Sequence, residues 1–404
     1  MRGIFLLAAI VLSSYHEGFC HGIKMPTDRL KEIRRRMNLH VKHAIKTIES
    51  EDGEVIDCVG LYKQPAFDHP DLKDHKIQMM PSGVSTTNSK PTTPENEVRQ
   101  VWQKYGSCPE GTIPIRRVDE SALLNSNSSV KHYGRKSGSG VHGQLKLETN
   151  TSNLAYPDTS VVILLTASLS YTRGKAEMNV WNPYVDKDDE YSLSYIAVRN
   201  SYFESVQSGW AVHPGVYGDR ATHFFVYWMG DRARQGCFDL TCPGFVQISR
   251  RIALGGALDL NNIPIPGGLG GVLTLWIEKD VITGNWWVRT GANQENVGYF
   301  PANLFSGLQH TADIVEWGGE VHSKHVGNVR PHTSTAMGNG EFGDAIAMCG
   351  KMKIIRIRTN DPVWVIPGWI AVHIDEWECY RGEYLKISEP EYSFGGPGRN
   401  PRCP

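Results

Sequence analysis

Several things are scarce in this chain of 404 residues, and each scarcity removes a class of function. Neither charge sign is in excess, since the net charge is −1, so no basic surface for nucleic acid is expected. Beyond the N-terminus no apolar run is long enough for a membrane helix, so no stable membrane association is expected. Catalytic signatures with fixed spacing are missing as well: there is no GxSxG elbow, no HExxH and no phosphate-binding GxxxxGK[ST]. Gly138-Ser-Gly-Val-His-Gly143 matches a dinucleotide fingerprint only by letter, because no strand precedes it and no helix pattern follows. His322 and His325 are three apart on a strand-and-turn background, a spacing that does not put them on one face. Neither a cofactor nor a metal is expected.

What is plentiful is glycine (41), tyrosine (16) and tryptophan (11), a mixture suited to short strands and tight turns. The chain opens with Arg2 and a short apolar run from Ile4 to Leu12, which reads as a secretory signal over residues 1–20 cut near Cys20–His21. A secreted, extracellular destination makes Asn127-Ser-Ser and Asn150-Thr-Ser glycan candidates. Oxidising surroundings also make disulfides expected among the eight cysteines. Cys237 and Cys242 are close enough for a local loop, and Cys379 can staple the tail through Cys403. The pairing of Cys58, Cys108 and Cys349 stays open.

Residues 27–49 carry apolar positions at helical spacing (Leu30, Ile33, Met37, Val41, Ala44, Ile45, Ile48) and predict one N-terminal helix with a solvated basic face. From Gly53 to Arg117 the sequence reads as irregular. Residues 121–155, rich in Ser, Asn and Gly, read as an exposed linker open to proteases. Beyond about residue 158, short apolar or alternating segments recur, at Val161–Leu165, Ala176–Trp181, His223–Trp228, Val272–Ile277 and Ile354–Ile357. They predict a mainly β domain over residues 156–404, an antiparallel two-sheet sandwich of jelly-roll type.

Within that domain the segment Val315-Glu-Trp-Gly-Gly-Glu-Val321 places two carboxylates in an apolar strand run, where charge is kept only if paired or used. Trp317 is expected to desolvate Glu316 and prepare it for acid–base work. The glycine pair is expected to break the strand, so that only one of Glu316 and Glu320 faces a groove. Trp210, Trp317, Trp286 and Trp287 are candidates to line that groove.

These residues belong to a longer set of motifs. Gly53-Glu-Val-Ile-Asp-Cys58 and Cys108-Pro-Glu-Gly-Thr-Ile-Pro-Ile-Arg-Arg117 come first. Val180-Trp-Asn-Pro183, Gly209-Trp-Ala-Val-His-Pro214, Tyr217-Gly-Asp219 and Gly236-Cys-Phe-Asp-Leu-Thr-Cys242 follow, then Phe300-Pro-Ala-Asn-Leu-Phe305 and the tail Gly395 to Pro404. Together they resemble the plant neprosin family over nearly the whole chain after the signal. The resemblance implies a secreted zymogen, with residues 21–155 as activation propeptide and linker. It implies a glutamic endopeptidase sandwich that cuts peptide or protein substrates after proline in acid. It also implies two catalytic glutamates across a groove. One maps onto Glu316; the other position holds Gln207, so that at this pair the chain resembles the fungal glutamic peptidases, which pair Gln with Glu. Glu204 is the nearest carboxylate to that position, but alternation puts it on the other face from Gln207. Trp210, Trp317, Glu320 and Tyr217 are the substrate-binding candidates. The competing reading is a sandwich that binds peptide or glycan without cutting it.

Overall fold

The computed structural model describes residues 43–82, 99–117, 158–200, 204–230, 236–261, 271–344 and 349–404. The signal segment, both sequons, the Ser/Gly linker and most of the expected N-terminal helix lie outside these residues. In chain order the strands are β1 (Ala44–Glu49), β2 (Val55–Gly60), β3 (Thr112–Arg116), β4 (Thr159–Tyr171), β5 (Arg173–Asn179), β6 (Tyr191–Asn200), β7 (Glu204–Val212), β8 (His223–Met229) and β9 (Gly236–Phe238). They continue as β10 (Val246–Gln247), β11 (Val272–Lys279), β12 (Trp286–Thr290), β13 (Glu295–Phe300), β14 (Ala312–His322), β15 (Gly350–Arg358), β16 (Ala371–Ile374), β17 (Arg381–Leu385) and β18 (Glu391–Gly395).

Strands β4–β18 form the expected sandwich. The front sheet runs β16-β4-β14-β6-β7-β8-β9 and the back sheet β10-β13-β12-β11-β5-β15-β18-β17, with antiparallel pairing within each. All five apolar segments singled out in the sequence contribute to these strands. The main core lies between the sheets. Trp210, Trp317, Ile196 and Val226 of the front sheet meet Ala176, Met178, Leu275 and Trp286 of the back sheet there.

Two expectations about the N-terminal third need correction. Residues 44–49 are not helical but form β1, and the irregular reading of 53–117 misses β2 and β3, which complete a separate sheet in the order β1-β2-β3. Ile48 and Ile56 belong to a small core with Cys58, Trp102 and Cys108, closed by the Cys58–Cys108 disulfide. The helical spacing of Ala44, Ile45 and Ile48 fails because cross-strand pairing and the disulfide override a marginal local preference. Ile45 is in fact exposed. The N-terminal segment then runs along the sandwich. Gln64 exchanges hydrogen bonds with the Gln247 backbone, at 2.7 and 3.0 Å, and Gln78 and the Ser82 N–H bind the Asp280 carboxylate at 2.6 and 2.7 Å.

Cys237–Cys242 and Cys379–Cys403 are bonded as expected, and Cys349 is a free, buried thiol whose pKa burial pushes up. Among the described residues no helix is long and apolar enough to cross a membrane.

Close approach of neighbouring strands fixes the front sheet tightly at Gly209. A Cβ there would lie 1.8 Å from the Ser194 carbonyl oxygen. Gly209→Ala is therefore expected to destabilise the protein by roughly 2–4 kcal/mol. Gly60→Ala, where the nearest atom is 3.9 Å away, should stay within about 0.5 kcal/mol. Urea midpoints of the two variants check this.

Candidate active site

Antiparallel partners directly opposite one another share a face of the sheet. Glu316 on β14 is opposite Ala197 on β6, and Ala197 is opposite Gln207 on β7. The row continues through Leu165 on one side and Tyr227 on the other. Glu316 and Gln207 therefore stand on the same face, two strand spacings apart, about 9.6 Å between their backbones. Only the Ala197 methyl rises between them. This face is the one turned away from the inter-sheet core.

The neighbouring rows complete the surface. Two residues along β6 lies Arg199, opposite Ile314 and Ser205. Two residues the other way lies Tyr195, between Gly318 and Gly209, so its ring has no side chain on either flank in that row. One row further, Glu320 is opposite Leu193, whose other partner is Ala211. The glycine pair does not interrupt β14, which runs unbroken from Ala312 to His322. Glu316 and Glu320 thus share a face, contrary to the expectation that only one would. Gly318 and Gly319 are required for another reason. A Cβ on Gly318 would lie 2.2 Å from the Val162 oxygen, and one on Gly319 would lie 2.8 Å from Met337 and Phe394 side-chain atoms.

Alternation also overturns the roles expected of the tryptophans. Trp317 follows Glu316 directly and so points to the opposite face, where its indole N–H donates to the Lys175 carbonyl at 3.2 Å. It does not wall the carboxylate. Trp210 is likewise fully buried in the core, donating to the Asn179 carbonyl at 2.9 Å. Trp286 shares that core, and Trp287 packs on the outer face of the back sheet with Ala66 and Tyr299. None of the four indoles is on the face that carries Glu316.

What surrounds Glu316 is instead charged. Arg199 Nε donates to Glu316 Oε2 at 2.7 Å, and both side chains are buried. Gln207 is completely buried. Its amide donates to Ser205 Oγ at 3.1 Å, while Oε1 has no hydrogen-bond partner among the described residues. An unmade hydrogen bond on a buried acceptor costs about 1–3 kcal/mol, the kind of cost found where a ligand group is meant to bind. Glu320 accepts from the Tyr191 hydroxyl at 2.8 Å, and the Tyr191 ring stacks between His213 and His322 at 4.5 and 4.9 Å. Glu204, on the other face, is fully engaged by the backbone N–H groups of Ser306, Gly307 and Leu308 at 2.5–2.8 Å, so it is no substitute for Gln207.

Tyr217 lies away from the pair, in the helical turn Pro214–Tyr217 after β7. Its carbonyl accepts from Arg116 of the N-terminal segment at 2.7 Å and its hydroxyl donates to Asp239 at 2.9 Å. Burial pushes the Asp239 carboxyl up to about 7 against hydrogen bonds from the Val226 N–H and Tyr217. As for metals, the one His/Cys/Asp/Glu group spaced to hold an ion among the described residues is His332 with Cys379 and Cys403. The two sulfurs are bonded to each other.

Arg199, Ser205 and Tyr195 are the neighbours that sequence reasoning missed. Arg199 alone left a signal, as a charge directly after the apolar segment Tyr195–Val198.

A carboxylate and an amide thus share the outer face of one sheet of a two-sheet β-sandwich. The chain belongs to the neprosin family: it matches the Neprosin domain over residues 188–397, more than half its length, and the Neprosin activation peptide over residues 47–156. The sandwich is also similar to solved structures. One is scytalido-glutamic peptidase with a transition state analog inhibitor, at a TM-score of 0.35 and 8% identity, covering 59% of this chain and 98% of that one. Another is SCP-B, a member of the Eqolisin family of peptidases, in complex with the tripeptide Ala-Ile-His, at 0.32 and 9%, covering 59% and 97%.

Asp239 yields a pH prediction. A carboxyl raised from 3.8 to about 7 binds its proton more tightly in the folded state. Its contribution is fully present below about pH 4 and is lost as the pH rises through about 7. The wild-type Tm should decline across that window, and Asp239→Asn, which keeps an oxygen to accept from the Val226 N–H and cannot ionise, should flatten the decline. Equal slopes in the two proteins by calorimetry would contradict the assignment.

Proposed function

We propose that the protein is a secreted glutamic endopeptidase, made as a zymogen, that cleaves peptides after proline in acid with a Gln207/Glu316 pair. The observation that carries this reading is the shared row: Glu316, Ala197 and Gln207 in register across β14, β6 and β7. The Glu316 carboxylate takes a proton from a water lodged between the two side chains as that water attacks the scissile carbonyl. The Gln207 amide donates to the oxygen that becomes an oxyanion, an effect worth roughly 3 kcal/mol per donor. Glu316, now protonated, returns the proton to the leaving amine as the C–N bond breaks. Gln207 can donate and accept but cannot carry a proton, so one carboxyl serves as base and then as acid. Family membership supports a peptide substrate.

One observation favours a second reading, a sandwich that binds peptide without cutting it. Glu316 is already held in a buried ion pair with Arg199, and no second carboxyl stands in its row.

Cleavage of a fluorogenic proline-containing peptide by the acid-treated full-length protein between about pH 3 and 6 separates the two. The peptidase reading expects turnover that falls at least about 1,000-fold in Glu316→Gln and about 100-fold in Gln207→Ala. It also expects Gln207→Glu to stay active and to add a second ionisation to the pH–rate profile. No cleavage by wild type, indistinguishable from Glu316→Gln, leaves only the binding protein.

A further inference from the structure

The ion pair that favours the binding reading can equally be part of the machinery, and the register decides how. Arg199 lies on the central strand of the three that build the site, two residues from Ala197. Its backbone is therefore placed alike toward Glu316 on β14 and toward Gln207 on β7. Its guanidinium already meets Glu316 at 2.7 Å, with both side chains buried, while Ser205, opposite Arg199, holds the Gln207 amide at 3.1 Å. One row thus orients both members of the pair above it.

We propose that Arg199 is a positioning residue of the active site, aiming Glu316 along its row and supplying the counter-charge for the reaction. This inference rests on the peptidase reading. The charge count supports it. Before attack the site holds one carboxylate and one guanidinium. After attack Glu316 carries the proton taken from water, and the negative charge has moved to the substrate oxyanion beside Gln207. The guanidinium balances the site in both states, so no step creates a lone buried charge, which would be costly at such low polarity. A neutral amide in place of a second acid leaves no shared proton to do that balancing, and Arg199 provides the missing positive charge. The other charged or titratable groups on this face are Tyr195 and Tyr191 on β6, Tyr227 on β8, Glu320 and His322 on the same strand as Glu316, and His213, stacked on Tyr191. The nearest positions on β4 and β16 are Leu165 and Ala371, with His373, bonded to Asp375, two residues along β16. Arg199 is the cation that meets Glu316 directly.

The test uses the full chain, acid-treated as above, with Arg199→Gln, Arg199→Met and Arg199→Lys. Arg199→Gln keeps a hydrogen-bond donor for Glu316 and removes the charge. It is expected to lower kcat about 100-fold, to change KM by less than about threefold, and to move the acid limb of kcat/KM to higher pH by about one unit or more. Arg199→Lys should recover most of kcat and return the limb toward the wild-type position. Arg199→Met should resemble Arg199→Gln if it folds, and near-UV circular dichroism with Tm decides that. A purely structural ion pair would lower Tm in all three variants without moving the limb. An active wild type with an unshifted limb in Arg199→Gln overturns this proposal alone. A wild type without activity removes the peptidase reading, and this proposal falls with it.

Discussion

Two indoles hold the site in place from behind. Trp210 and Trp317 reach across the core to the same back-sheet strand, donating to the Asn179 and Lys175 carbonyls of β5. Each is anchored within three residues of a site side chain, Gln207 and Glu316 respectively. Because side chains alternate along a strand, burying Trp317 inward fixes Glu316 outward, and burying Trp210 inward fixes Gln207 outward. A one-residue slip of either strand would exchange the faces, driving a carboxylate into the core and an indole out of it. Gly209 adds to that constraint on β7 itself, since no Cβ fits there against the Ser194 carbonyl of β6. The tryptophans thus serve the chemistry without touching it, by making one register far cheaper than any other.

The same sheet shows three ways of keeping a buried carboxylate. Glu204 is bound by three consecutive backbone N–H groups, an arrangement that closes the turn after Phe305. Glu320 receives the Tyr191 hydroxyl. Glu316 is met by the Arg199 guanidinium, and of the three it is the one in the row of Gln207. A charge-assisted hydrogen bond is stronger than a neutral one, yet it leaves the second carboxylate oxygen for another group. The chemical distinction among the three glutamates therefore lies in their partners, since all of them are buried.

Much of this was legible in the sequence. Short apolar runs bounded by turn residues gave the sandwich, and two disulfides followed from spacing and from the position of the last cysteine. Glu316 announced itself as a charge in an apolar strand. The misreadings share one cause: reasoning on neighbours in the chain where neighbours across the sheet decide. Adjacency in sequence suggests Trp317 as a wall for Glu316, although adjacency on a strand guarantees opposite faces. The glycine pair was read as a break, whereas Gly318 and Gly319 are required by close approach of Val162 on one side and Met337 with Phe394 on the other. Residues 44–49 carried helical spacing, but the decisive contacts, with Val55–Val59 and the Cys58–Cys108 cluster, are invisible to local periodicity. Arg199 was overlooked because its partner is 117 residues away.

Buried carboxyls elsewhere in the chain give its stability pH dependences of opposite sign. Asp239, buried and raised to about 7, contributes stability in acid that is lost as the pH climbs through that value. Glu54 of the N-terminal segment is also raised, chiefly by burial, against the attraction of Arg116 and His223. Its sign is the same: lowering the pH favours the state in which it is buried against the sandwich. Asp280 behaves in the opposite way. Burial would raise it, but hydrogen bonds from Ser82, Gln78, Ile282 and Thr283 outweigh burial and hold it at about 2. Its contribution is present above about pH 4 and is lost only as the pH falls through about 2. The contributions of Asp239 and Asp280 are therefore both complete only near pH 4. Two of the donors to Asp280 come from the N-terminal segment, so mild acid alone does not loosen that contact.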